Sequence, residues 1–137
     1  MSDWTTFLIF VTIILEMGKK RELFFYKDYF REFYRQQVIK VQRKILWTLE
    51  IVEVIDRIPE MYFKHLENTE GLYEIRVQVG SDIFRIFCFF ESNNLVIVGH
   101  GFQKKTQKTP LKEIEKAEKI KKEYYELQIM GKNKHNN

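Results

Sequence analysis

The sequence predicts an α+β layer fold: two N-terminal helices, an antiparallel three-stranded meander and a C-terminal helix. Three observations carry this. No glycine occurs between Lys19 and Glu70, and apolar residues there recur every three or four positions. From Gly71 the apolar period changes to two, the mark of strands with one face buried. After Pro110 the chain returns to the helical period, with Lys and Glu filling the remaining faces. Helices are expected on one sheet face. The other is expected to be open and to carry the ligand surface.

The 137 residues divide into an apolar extension (1–16), one domain (17–130) and a disordered tail (131–137). Trp4 to Leu15 is almost uniformly apolar, yet shorter than the roughly 20 residues that span a bilayer. Asp3 precedes the run and lysines follow it, the reverse of a secretory signal. It reads as an N-terminal extension, with Met17 an alternative start; a membrane anchor or partner-binding segment is the rival reading.

Leu23–Tyr26 is a short aromatic strand candidate, and Asp28 is placed to cap a helix from Tyr29 to about Gln37. A second helix covers Val38 to about Ile55, with Val38, Val41, Ile45, Leu49 and Val52 on its inner face. Pro59 ends it. In Leu72–Val79, Tyr73, Ile75, Val77 and Val79 alternate with Glu74, Arg76 and Gln78. Gly80-Ser81-Asp82 turns the chain into Ile83–Glu91, an aromatic strand whose one internal charge is Arg85. Ser92-Asn93-Asn94 turns it again, since Asn tolerates left-handed backbone. Leu95–Phe102 completes the meander. A last helix from Pro110 to about Leu127 presents Leu111, Ile114, Ala117, Ile120, Tyr124 and Leu127 inward.

A net charge of +4 permits a polyanionic partner without requiring one. Cys88 is the single cysteine, so no internal disulfide forms, as suits a reducing cytoplasm. His65, His100 and His135 are far apart with no ligand spacing, so no metal site and no cofactor are expected. Charge concentrates in Gly101–Pro110, where Lys104, Lys105 and Lys108 occur without an acidic neighbour. Thr109-Pro110 then reads as a helix start. Such a loop is either a phosphate-binding element beside a positive helix end or a solvated connector.

Lys64-His65-Leu66, the run Leu72-Tyr73-Glu74-Ile75-Arg76, Arg85 in its aromatic strand and Gly-Phe-Gln-Lys-Lys-Thr-Gln-Lys-Thr-Pro before an amphipathic helix resemble the RelE/HigB toxin superfamily. The likeness is to its phage-derived Gp49-like HigB branch and extends from about Leu23 to Leu127. It implies a RelE-like fold and a toxin of a type II toxin–antitoxin system. Such a toxin is a metal-independent endoribonuclease that cuts mRNA on the ribosome in the cytoplasm. The RNA's own 2′-hydroxyl attacks the adjacent phosphate. A HigA-like helix-turn-helix antitoxin is the implied partner. A ParE-like gyrase inhibitor and a catalytically inactive RNA- or ribosome-binding module are the alternatives.

Preorganised cations stabilise the charge that develops on such a phosphorane, and arginine's planar fork suits it best. Arg85 is the first candidate and Arg76 the second; a structural ion pair is the other reading of each. Glu74 is either general base or partner of Arg76, and RelE carries lysines at both of these strand positions. His100 is either a proton-transfer group or a packed strand residue. Lys104 either protonates the leaving 5′-oxygen or neutralises charge. Lys64, Lys105 and Lys108 read as RNA backbone contacts.

Overall fold

The computed structural model describes residues 3–135. In chain order the elements are α1 (Asp3–Met17), β1 (Glu22–Phe25), α2 (Tyr29–Arg35), α3 (Ile39–Val54), β2 (Phe63–His65), β3 (Leu72–Val79), β4 (Asp82–Ser92), β5 (Leu95–Lys104) and α4 (Leu111–His135). The chain is α+β, and β3, β4 and β5 form the expected meander. Two short strands widen it into a mixed, open five-stranded sheet of order β1-β5-β4-β3-β2. β1 runs parallel to β5 at one edge and β2 antiparallel to β3 at the other.

Both faces of the sheet carry a core. On one, Val41, Ile45, Leu49 and Val52 of α3 pack against Ile75, Val77, Phe84 and Ile86. On the other, Ala117, Ile120 and Tyr124 of α4 pack against Leu72, Phe87 and Ile97. The face expected to be open is therefore half covered, because α4 has an apolar stripe that only the sheet can bury. Val38 and Leu111, expected to face inward, are each 69% exposed. Val38 has extended backbone ahead of α3 and so stands outside the helical phase. Asp28 precedes α2 but its carboxylate makes no capping bond; its carbonyl accepts from Glu32 N–H instead. α4 continues as helix past Met130 to His135, into the segment expected to be a tail.

One irregularity decides which residues meet. Ile86 pairs with Gly101 but Cys88 pairs with Val98, so β5 carries an extra residue between these points. Such a bulge changes the side-chain phase. It turns His100, Phe102 and Lys104 toward the α4 face and Gly101 toward α2, where a Cβ would lie 2.5 Å from the Phe33 ring.

α1 lies outside both cores. Phe10 stacks on Trp47 of α3 at 6.1 Å between ring centroids, while Trp4, Phe7, Leu8, Ile9 and Ile13 are exposed. Among the described residues no helix is long and apolar enough to cross a membrane.

Candidate functional site

β3 and β4 set Arg76 and Arg85 directly opposite one another. Like charges so placed repel, and the fold gives the two different surroundings. Arg85 is 8% exposed, with Nε 2.9 Å from Glu74 Oε2. The Nε–H is not directed at that oxygen, so the contact is an ion pair without hydrogen-bond geometry. Its Nη1 donates to the Phe84 carbonyl at 3.1 Å. Burial lowers the Arg85 pKa, Arg76 adds to this, and Glu74 opposes it. Arg76 is only half-buried. Its Nη1 donates to the Glu60 carbonyl at 3.3 Å, and its Nε has no partner.

Glu74 is buried and held at both oxygens, Oε2 by Arg85 and Oε1 by the Thr109 hydroxyl, which donates to it at 2.9 Å. This corrects the reading of Thr109 as a helix cap. The first turn of α4 is closed instead by the Pro110 carbonyl, which accepts from the Glu113 and Ile114 N–H groups. Lys104, the last residue of β5, is half-buried. Burial and then the Arg85 guanidinium hold its ammonium below the ordinary lysine pKa; Arg76 adds to this and Glu74 opposes it.

These groups border a cleft of about 460 Å³ between the β2–β3 edge and the start of α4. That volume is in the range of ligand sites. Lys64, Arg76, Lys104 and Lys108 line it, from three strands and the loop before α4. Glu67 and Glu74 are its acidic members, and Leu66 and Ile114 its apolar ones. Among the described residues Lys64, Lys104 and Lys108 have no ion-pair partner, so the cleft holds cations without matching counter-charges. No group of three or more His, Cys, Asp or Glu side chains is placed to hold a metal among the described residues.

Arg76, Lys104, Glu74, Lys64 and Lys108 of the predicted site residues therefore meet at one cleft. Arg85 stands behind Glu74 rather than on the lining, and Lys105 is exposed away from it. His100 is elsewhere. It is 3% exposed, with its ring 5.1 Å from that of Phe87 and Nε2 2.9 Å from Glu113 Oε2. Its Nδ1 has no partner. Burial holds its pKa below the usual histidine value, against the Glu113 hydrogen bond.

Of the lining residues outside the predicted set, two carry an imidazole or a hydroxyl. His65 ends β2, is exposed on the cleft wall, and sets its ring against Tyr73 at 5.2 Å. Its sequence signal was its place beside Lys64, which pairs with Glu74 across the strands. Thr109 is the other.

No curated protein matches the chain. The family model of the phage-derived Gp49-like proteins matches residues 30–122, more than half of the chain. The matched part runs from α2 into α4 and contains every cation of the cleft. The chain belongs to the phage-derived Gp49-like family, a membership that points to the toxin of a toxin–antitoxin pair with an antitoxin as its partner.

Proposed function

We propose that this toxin is a cytoplasmic endoribonuclease that cuts mRNA on the ribosome and is neutralised by a HigA-like helix-turn-helix antitoxin. The observation that carries the reading is the convergence of Lys64, Arg76, Lys104 and Lys108 on one cleft with no matching set of acids. A phosphodiester is the ligand such a lining suits, since charge-assisted bonds from ammonium and guanidinium groups to phosphate oxygens are strong.

In this reading the 2′-hydroxyl attacks the adjacent phosphorus. The bond to the 5′-oxygen breaks, leaving a 2′,3′-cyclic phosphate and a 5′-hydroxyl. Arg76 takes the phosphate contact first assigned to Arg85, because Arg76 lines the cleft and Arg85 does not. Lys104 delivers the proton to the departing 5′-oxygen, a task that a lowered ammonium pKa favours. Lys64 and Lys108 hold flanking phosphates. Glu74 is not the base, since both its oxygens are engaged; it fixes Arg85 behind the cleft. His65 replaces the enclosed His100 as the imidazole able to accept the 2′-hydroxyl proton.

The test is a reconstituted translation reaction with the purified protein, followed by primer extension on the mRNA. New 5′ ends in phase with codons are expected, and are expected to vanish with Arg76→Ala. Intact mRNA together with inhibited gyrase would replace this reading with the non-catalytic one.

A further inference from the structure

The loop carrying Lys105, Thr106, Gln107 and Lys108 has little to hold it. β5 ends at Lys104, and the α4 hydrogen bonds begin at the Pro110 carbonyl. Within the loop, the Thr106 hydroxyl donates to the Lys108 carbonyl at 2.7 Å, a bond that ties the loop only to itself. Among the described residues no backbone bond fastens 105–109 to the sheet. One side-chain bond does: Thr109 Oγ1 to Glu74 Oε1, 2.9 Å. Its acceptor is 5% exposed and is anchored in turn by Arg85. A threonine just before a helix commonly turns its hydroxyl to the free N–H groups of the first turn. This hydroxyl goes instead to a carboxylate in the sheet.

We infer that Thr109 is a positioning residue. Through Glu74 it fixes the loop before α4, and so aims Lys108 at the phosphate flanking the one that Arg76 contacts. The inference rests on the RNA reading above. It adds that the cleft is preorganised by one hydroxyl–carboxylate bond rather than assembled by the RNA. Preorganisation of this kind raises affinity by removing ordering costs, without adding a charge.

Positioning and contact leave different signatures in salt titrations. A side chain that neutralises a phosphate contributes to the slope of log K against log salt, about 0.7 per contact for single strands. A residue that only orders the loop changes affinity at constant slope. The probe is a single-stranded RNA oligonucleotide whose 2′-hydroxyls are replaced by hydrogen, which is bound but not cut. Its dissociation constant is measured over a range of salt for wild type, Thr109→Ser, Thr109→Ala, Thr109→Val and Lys108→Ala, each checked by a thermal melt.

Lys108→Ala is expected to lower the slope by about 0.7. Thr109→Val and Thr109→Ala are expected to weaken binding about tenfold at wild-type slope, and Thr109→Ser, which keeps the donor, to bind like wild type. Binding by both non-hydroxyl variants within twofold of wild type overturns the inference while leaving the RNA reading intact. A reduced slope in those variants also overturns it, because Thr109 would then act on the phosphate contacts themselves. Failure of both to fold while Thr109→Ser folds makes Thr109 a stability residue and overturns it equally. Absence of binding to the free oligonucleotide by wild type overturns the inference, and if cleavage in the translation reaction is absent as well, the RNA reading falls with it.

Discussion

The two halves of the sheet face under α4 are built from the same strands and have opposite characters. Toward the middle of the helix, Leu72, Phe87 and Ile97 meet Ala117, Ile120 and Tyr124 in a dry layer. Toward its start, two residues further along β3 and back along β4, the face carries Glu74, Arg76 and Arg85, with Lys104 at the end of β5. Alternation runs unbroken through both halves along β3 and β4, and β5 keeps Lys104 on this face through its bulge. The difference is cover: α4 begins at Leu111, so its first turn leaves this end of the sheet reachable by solvent. Helix placement thus converts one part of a continuous face into core and the other into a cationic cleft. The cross-strand pair Arg76 and Arg85 straddles that boundary, one reaching the cleft and the other sealed against Glu74.

The largest expected effect separates these two arginines. Arg85→Ala leaves the Glu74 carboxylate buried without its counter-charge, a loss of about 3–5 kcal/mol in urea unfolding. Arg76→Ala is expected to leave the unfolding curve nearly unchanged, because the residue is only partly buried and no buried acid depends on it as a partner. Equal stability losses in the two variants would erase the boundary. Next, Ile120→Ala in the dry half should cost about 2–5 kcal/mol. Ile114→Ala, at the cleft wall, should cost clearly less, because that side chain is only partly buried.

Gly101→Ala probes the bulge that turns Lys104 toward the cleft. Its Cβ would meet the Phe33 ring, a rigid neighbour, and overpacking of this kind costs about 1–3 kcal/mol. The smallest effect concerns pH. His100 has a folded pKa below its unfolded value, so the unfolded chain binds the proton more readily. The stability from its neutral, buried form is full above about pH 6.5 and is lost as pH falls through the lowered folded value. His100→Asn should flatten that acid-side decline in a series of melts; an unchanged decline would place its origin elsewhere.

Much of this arrangement was legible in the chain. The alternation through Leu72–Val79 gave β3 its bounds and put Glu74 and Arg76 on one face. The spacing Val41, Ile45, Leu49, Val52 marked the buried stripe of α3. Other parts depend on contacts that local periods do not encode. β2 has three residues, too few to display alternation, so His65 gave no strand signal. β1 pairs in parallel with β5, a partner some seventy positions away in sequence. The bulge near Gly101 shifts the phase of β5, and Glu113 in the first turn of α4 claims His100. A lone arginine in an aromatic strand signalled a purposeful charge at Arg85. Its partner Glu74 and its burial behind the lining came only from the fold.

The most direct measurement of the central claim is the single-turnover rate of mRNA cleavage in a reconstituted translation reaction, comparing wild type with Arg76→Ala at equal folded fraction. A rate lower by about 10²–10³ is expected for Arg76→Ala, the loss typical when one preorganised donor to developing negative charge is removed. Cleavage by Arg76→Ala at the wild-type rate would contradict it, because the cleft cations would then have no part in the reaction.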